Sequence, residues 1–197
     1  MRRCLIVVGL CCSAVASTEA HSVFLGAPSG GHGNASIISP FSTEVLAPIA
    51  ETVLLGTAET GDLASWAADD DNTRRICQFF VPLARSPYLR IDLKYTTTKP
   101  KPTAIAFNLQ VSAKTGGTHQ LTIFMQDKTN NAYFQVFKGN VGNTLPFTAT
   151  GIPTGDLSKY VGTGGAMNAR IEMIMVGLQA ARLPCDTFGF GQMVVTD

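Results

Sequence analysis

The stretch TAIAFNLQVSAKTGGTHQLTIFMQDKTNNAYFQVFK, residues 103–138, holds three alternating runs separated by two short polar loops. In the first run, apolar side chains fall on odd positions from Ile105 to Val111, with small or amide side chains between them. This period of two is typical of a strand with one buried face. His119–Gln126 repeats the pattern. We therefore predict an antiparallel meander in one sheet, with Ala113 opposite His119.

The third run leaves a choice of register, because either Ala132, Phe134 and Val136 or the alternate residues face the core. We choose the first set, since Tyr133 and Gln135 carry polar groups that are costly to bury unpaired. The outward side chains are then amides and rings, which can hydrogen-bond sugar hydroxyls and stack on sugar faces. We predict a ligand-binding surface made of Asn108, Gln110, Gln120, Phe124, Tyr133, Gln135 and Phe137. If another part of the chain covers this face, the rings are ordinary core.

The N-terminus has the order of a secretory signal peptide: two arginines, an apolar run and small residues ending at Ala16. We expect cleavage after Ala16, or alternatively after Ala20, and a secreted or periplasmic protein. A flexible Gly/Ser-rich lead is expected over residues 17–36, and one domain over residues 37–197. No apolar run is long enough to be a transmembrane segment.

Composition and cysteine usage narrow the classes further. With 15 basic and 14 acidic residues and no basic run, nucleic-acid binding is not expected. Two cysteines, Cys77 and Cys185, remain after the signal sequence. In an oxidising compartment we expect them to form a disulfide worth about 3–5 kcal/mol, with two separate buried thiols as the alternative.

The rest of the chain also has the pattern of strands. Tyr88–Tyr95 alternates cleanly, and Asn168–Val176 and Thr187–Val195 are predicted to be the closing pair. Neither a sustained helical period nor an internal repeat is present. Eight to nine short strands separated by turn signals predict an all-β antiparallel β-sandwich or barrel.

Several segments, taken in order, resemble the galactose-binding-like jelly roll shared by many carbohydrate-binding modules and discoidin-type domains. They are ETGDLASW at 59–66, SPYLRIDLKY at 86–95, GDLSKYVG at 155–162, ARIEMIMVG at 169–177 and the strand at 188–195. The match covers about residue 52 to the end. The resemblance implies a jelly-roll β-sandwich that binds a glycan or a glycosylated surface, as a lectin does, and does not catalyse.

The same resemblance implies a structural calcium between an early acid and an acid of the last strand. Glu59 or Asp62 matches the early position, whereas the closing strand lacks the usual carboxylate and Asp186 lies before it. Calcium is therefore a candidate cofactor with Glu59, Asp62 and Asp186 as ligands. The acidic run 69–72 is either a further calcium site or a solvated loop.

Three alternatives stay open at this stage. Trp66 is either a binding platform on a loop or a cap on the core. If cleavage follows Ala20, His21 becomes the N-terminus, as in secreted copper monooxygenases, with His32 or His119 as the second copper ligand. In the third alternative, the chain is a structural surface, coat or appendage subunit that self-associates. No arrangement typical of nucleophilic catalysis is present, so we predict a non-enzyme.

Overall fold

The computed structural model describes residues 42–67, 73–77, 87–113, 118–141, 147–176 and 185–197. Within them the chain forms eleven strands and three short 3-10 helices, at Leu63–Trp66, Leu157–Tyr160 and Thr163–Gly165. The strands are β1 (Thr43–Leu46), β2 (Ala50–Leu55), β3 (Thr57–Thr60), β4 (Arg74–Cys77), β5 (Pro87–Thr96), β6 (Ala104–Ala113), β7 (Thr118–Asp127), β8 (Ala132–Val141), β9 (Phe147–Gly151), β10 (Ala166–Val176) and β11 (Cys185–Thr196). The predicted signal peptide, the Gly/Ser-rich lead, His21, His32 and the acidic run 69–72 lie outside the described residues.

The strands form two antiparallel sheets that enclose the core. The six-stranded sheet has the order β3-β4-β11-β6-β9, with β1 also paired to β11. Strands β4 and β1 lie in line along one edge of β11, one near each end. The five-stranded sheet has the order β2-β5-β10-β7-β8. The predicted all-β sandwich class is therefore confirmed, with more strands than the eight to nine expected.

The predicted pairing of the first two meander runs is wrong, although their inward faces are right. Strand β6 pairs with β11 and β9 in the six-stranded sheet, whereas β7 pairs with β10 and β8 in the five-stranded sheet. The predicted inward residues of both strands, Ile105, Phe107, Leu109, Val111, Leu121, Ile123 and Met125, are at most 2% exposed. Alternation reports which side chains face the core, but a residue that faces the core can belong to either sheet.

The second predicted hairpin, between β7 and β8, is present. Tyr133 and Gln135 lie opposite Gln126 and Phe124 on the outer side, as predicted. A register shift then places Phe137 opposite Ile123, so Phe137 turns inward and packs against the core, with its ring centroid 6.1 Å from that of Phe147. Val136 also faces inward, because a Cβ added to Gly151 would lie 2.7 Å from its Cγ2. The β-bulge turns both side chains inward, where they are partly buried against the core, so the prediction that Phe137 faces outward is wrong.

The predicted disulfide joins neighbouring strands of the six-stranded sheet. Cys77 in β4 lies directly opposite Cys185 in β11, and the two are linked across a sequence separation of 108 residues. The bond thus fixes a short strand to the long central strand of its sheet.

Candidate functional site

The predicted ligand-binding residues lie on different surfaces. Gln120, Phe124, Tyr133 and Gln135 belong to strands of the five-stranded sheet and lie on its outer face. Asn108 and Gln110 are on β6, and they lie on the outer face of the other sheet. The single predicted surface is therefore split, and four of its seven residues remain together.

The centre of the five-stranded sheet's outer face is a row of directly opposed side chains. Arg170 of β10 lies opposite Asp92 of β5 on one side and Phe124 of β7 on the other, and Phe124 lies opposite Gln135 of β8. Phe124 is half-buried and Gln135 is exposed. An aromatic ring thus lies between a guanidinium group and a carboxamide in the middle of the sheet.

Arg170 is held in place by two neighbours. Its Nε and Nη2 donate to the two carboxylate oxygens of Asp92 at 2.7 and 2.8 Å. The guanidinium carbon lies 3.9 Å from the centroid of the Tyr133 ring, and the Tyr133 hydroxyl donates to Asp92 at 3.3 Å. Bidentate pairing and stacking on a ring are geometries that arginine, but not lysine, provides.

The titration of this cluster follows from the same contacts. Hydrogen bonding to Asp92 raises the pKa of Arg170. Partial burial, followed by the charge of Asp92, raises the pKa of Tyr133. At neutral pH the arginine is therefore charged and the tyrosine is neutral, so the cluster offers a fixed set of donors and acceptors.

Polar pairs occupy the two rows beside this centre. On one side, Arg90 donates to Glu172 at 2.6 Å. On the other, the Asn168 amide donates to Gln126 Oε1 at 2.7 Å, and Gln126 in turn donates to Asn131 at 2.6 Å. Contacts between neighbouring side chains therefore hold these polar groups in one geometry.

Asp92, Arg170, Arg90 and Glu172 were missed as site residues, although the sequence holds a signal for them. Arg90 and Asp92 are two positions apart on one strand, as are Arg170 and Glu172 on another. In an antiparallel register this spacing brings each arginine opposite a carboxylate. The pattern could have identified the paired strands, but only the structure shows which aromatic residues lie beside them.

The outer face of the six-stranded sheet is a weaker candidate. Asn108 accepts a hydrogen bond from Thr150 at 2.9 Å, and the Gln192 amide donates to the Ala67 carbonyl oxygen at 2.6 Å. These amides are therefore engaged within the protein. Gln110 lies opposite Phe190 and Thr148 in the same sheet.

Trp66 belongs to the core and is not an exposed platform. Its side chain is 0% exposed, and its ring lies 5.1 Å from that of Phe188. The indole Nε1 donates to Glu51 at 3.3 Å, and Glu51 also pairs with Arg74 at 3.1 Å. A Cβ on Gly191 would lie 2.9 Å from the indole ring, so this strand position needs glycine to admit the tryptophan.

The three proposed calcium ligands are not brought together. Glu59 pairs with Arg75 at 3.1 Å, and Asp62 caps the first 3-10 helix by accepting from the Ala64 N–H. Among the described residues, the only group of three whose ligand atoms lie within 4.8 Å of one another is Glu59 with Cys77 and Cys185. Because those two sulfurs form the disulfide, this group does not fit a metal ion.

Asp186, the third proposed ligand, is part of a buried polar network at the sheet interface. It is 0% exposed and accepts hydrogen bonds from the Tyr88 hydroxyl at 2.5 Å and from His119 Nδ1 at 2.9 Å. Burial, followed by the charge of Asp186, raises the pKa of Tyr88 well above its usual value. His119 is 1% exposed within this network and is therefore not a surface copper ligand.

No protein-family model matches this chain, and a search of the curated proteins finds no significant match. Within the described residues no helix is both long and apolar enough to span a membrane. Solved structures do resemble it, and all three of the following are carbohydrate-binding modules. The chain is similar to a family 29 module (9% identity, 80% of this chain, 87% of that chain, TM-score 0.45). It is also similar to a CBM4 structure (12% identity, 74% and 86%, TM-score 0.42) and to a xylan-binding CBM15 module (10% identity, 78% and 95%, TM-score 0.46).

Proposed function

We propose that this protein is an exported, non-catalytic module that binds carbohydrate on the outer face of its five-stranded sheet. The observation that carries this proposal is the half-buried Phe124 ring, which lies between Arg170 and Gln135 in one row across the sheet. Export is inferred from the signal-like N-terminus.

The chemistry of this face suits a sugar. One face of a pyranose ring presents C–H groups, which pack on an aromatic ring, and its edges present hydroxyls that both donate and accept. Phe124 offers the ring, while Gln135 and the Arg170 guanidinium offer polar groups beside it. Because Asp92 and Tyr133 already hold Arg170, binding costs less side-chain entropy than it would on a mobile surface.

The carboxylates on this face support binding without catalysis. A glycosidase uses two facing carboxyl groups, one of which donates a proton to the leaving oxygen. Asp92 and Glu172 each accept hydrogen bonds from an arginine instead. Neither is placed as a proton donor to a bound sugar.

Self-association through the edge strand β8 is less well supported. A flat, exposed edge invites pairing with another chain, whereas bulges and lysines oppose it. Strand β8 has a bulge at Val136–Phe137, and the exposed Lys138 follows it directly. Both features protect this edge.

The proposal is tested by affinity gel electrophoresis against a panel of neutral and acidic soluble polysaccharides. Phe124→Ala should weaken binding at least tenfold, the equivalent of about 1.4 kcal/mol, because it removes the stacking ring. Phe134→Ala is the matched control: Phe134 is 44% exposed, but it lies opposite Met125 and so is on the other side of the sheet. The proposal fails if no polysaccharide retards the protein, or if the two variants lose affinity equally.

A further inference from the structure

Cationic side chains outnumber carboxylates on the outer face of the five-stranded sheet and at its margin. Among the described residues, four cations on the face and Lys128 at its margin stand against two carboxylates on the face, Asp92 and Glu172. The carboxylate of Asp127, next to Lys128, is buried and lies 4.0 Å from Lys159 Nζ. The cations are Arg90, Arg170, Lys94, Lys128 and Lys138. The two arginines already take both carboxylates, at 2.6 and 2.7 Å. In the part of the chain that the structure describes, none of the three lysines has a carboxylate partner.

Two of these lysines flank one pair of amides. Lys94 of β5 lies directly opposite Asn168 of β10. The Asn168 amide donates to Gln126 Oε1 at 2.7 Å, and Lys128 Nζ donates to the same oxygen at 2.8 Å. The bonded pair Asn168–Gln126 therefore has the Lys128 ammonium group at one end and the strand position of Lys94 beside the other.

This arrangement is unfavourable for the protein alone. Partial burial, followed by the charge of Lys94, lowers the pKa of Lys128. An ammonium group that is partly removed from water and placed beside another cation is destabilised, and an anion between the two would offset this by favouring the charged form. Clusters of like charge that persist in a folded protein often mark a binding site for the opposite charge.

We propose that the ligand is an acidic polysaccharide and that one of its carboxylate or sulfate groups binds between Lys94 and Lys128. This inference rests on the proposed carbohydrate-binding function. Phe124 and Gln126 both face outward from β7, so the ring lies roughly 7 Å along the strand from the amide pair. A sugar stacked on Phe124 therefore has a neighbouring unit within reach of the lysines, where charge-assisted hydrogen bonds form.

Three derivatives of one glucan chain test the inference: hydroxyethyl cellulose, which is neutral, carboxymethyl cellulose and cellulose sulfate. In low salt, an acidic derivative should bind at least tenfold more tightly than the neutral one, and the two acidic forms tell carboxylate from sulfate recognition. Lys94→Gln and Lys128→Gln should each weaken the affinity for the acidic derivatives about 5–10-fold, as expected for the loss of one charge-assisted hydrogen bond. Neither variant should change the affinity for the neutral derivative. Lys101→Gln is the control, since Lys101 is exposed and lies outside the strands.

The outcomes separate this inference from the proposed function. If none of the wider panel of polysaccharides binds, the proposed function fails and the inference fails with it. If neutral and acidic derivatives bind equally in a Phe124-dependent way, the inference alone is overturned. It is also overturned if Lys101→Gln matches the other two variants. Duplex DNA binding as tightly as the acidic glucans, with the same loss on Lys94→Gln, would show a general polyanion surface and refute the saccharide assignment.

Discussion

Replacing Tyr88 by phenylalanine should destabilise the protein far more than the same change at Tyr95. Both tyrosines are on β5, both are 1% exposed, and both donate a hydrogen bond across the sandwich to β11. Their acceptors differ. Tyr95 donates to the carbonyl oxygen of Gly191 at 2.9 Å, whereas Tyr88 donates to the carboxylate of Asp186 at 2.5 Å.

The difference in acceptor sets the magnitude. A neutral hydrogen bond contributes about 0.5–1.5 kcal/mol, so Tyr95→Phe should cost about 1 kcal/mol. A bond to a charged group contributes about 1.5–3 kcal/mol, and a carboxylate left without its donor in the core costs more. The Tyr88 hydroxyl also lies 2.6 Å from His119 Nδ1. In Tyr88→Phe this contact is lost, and His119 Nδ1 keeps only its hydrogen bond to Asp186. We expect a cost of about 3 kcal/mol for Tyr88→Phe.

Urea denaturation measures both values. The urea unfolding curves of the two variants should have unchanged slopes and different midpoints. In thermal unfolding, the melting temperature should fall by about 6–12 °C for Tyr88→Phe and about 2–4 °C for Tyr95→Phe. An Asp186→Asn background supplies the second arm of a double-mutant cycle. In that background the cost of Tyr88→Phe should drop to that of Tyr95→Phe, because no charged acceptor remains.

Equal costs for the two tyrosine variants in the native background would refute the reasoning. So would an undiminished cost of Tyr88→Phe after Asp186→Asn. Equal costs would mean that the Tyr88 hydroxyl contributes as an ordinary neutral group, and an undiminished cost would mean that its contribution does not depend on the charge of Asp186.

Two further stability predictions follow from the disulfide and the β8 bulge. Replacing both Cys77 and Cys185 by alanine should cost up to about 4.7 kcal/mol, because the bond closes a loop of 108 residues. A loss below about 1 kcal/mol in urea, relative to the native protein with its disulfide intact, would contradict this value. Phe137→Ala should cost about 2–3 kcal/mol, since the ring packs against the core, while the same change at the 44% exposed Phe134 should cost under about 1 kcal/mol. Equal costs in thermal unfolding would place both rings in the same environment.

Local alternation predicted which side chains of β6 and β7 face inward, but not how the sheets are built. Both strands alternate regularly, and Phe107 and Ile123 are both fully buried, yet they belong to different sheets. The choice of partner strand depends on packing between distant parts of the chain, such as β11 alongside β6. A pattern with a period of two contains no information about that choice.

Bulges account for the wrongly predicted direction of Phe137 and for the burial of Tyr88 next to the buried Leu89. Phe137 turns inward after the register shift opposite Ile123 and Phe124. Tyr88 is skipped in the pairing of β5 with β10, where Leu89 and Pro87 lie opposite Met173 and Ile174. Adjacent residues can both be buried at such a point, which an alternating pattern does not allow.

The sequence pattern predicted one half of the candidate site, its aromatic and amide side chains, but not the charged half. The alternation of the second run predicted that Phe124 faces outward, and the cost of burying Tyr133 and Gln135 unpaired predicted the same for those two side chains. Arg170 and Asp92 come from strands far away in sequence, and nothing near either residue indicates that the pair would lie beside Tyr133. The aromatic and amide part of the site thus follows from local pattern, and the charged part follows from topology.

That division bears on what the site can recognise. A row of amides and one ring suits many sugars, and the six-stranded sheet has amides on its outer face as well. The five-stranded sheet adds two arginine–carboxylate pairs and, within the described chain, three lysines that lack a carboxylate partner. Because Asp92 and Glu172 neutralise the arginines, the lysines at the margin, and not the centre, supply the net attraction for an anion. Under the proposed function, the centre of the face would position a sugar ring, and its margin would determine whether an acidic sugar is preferred.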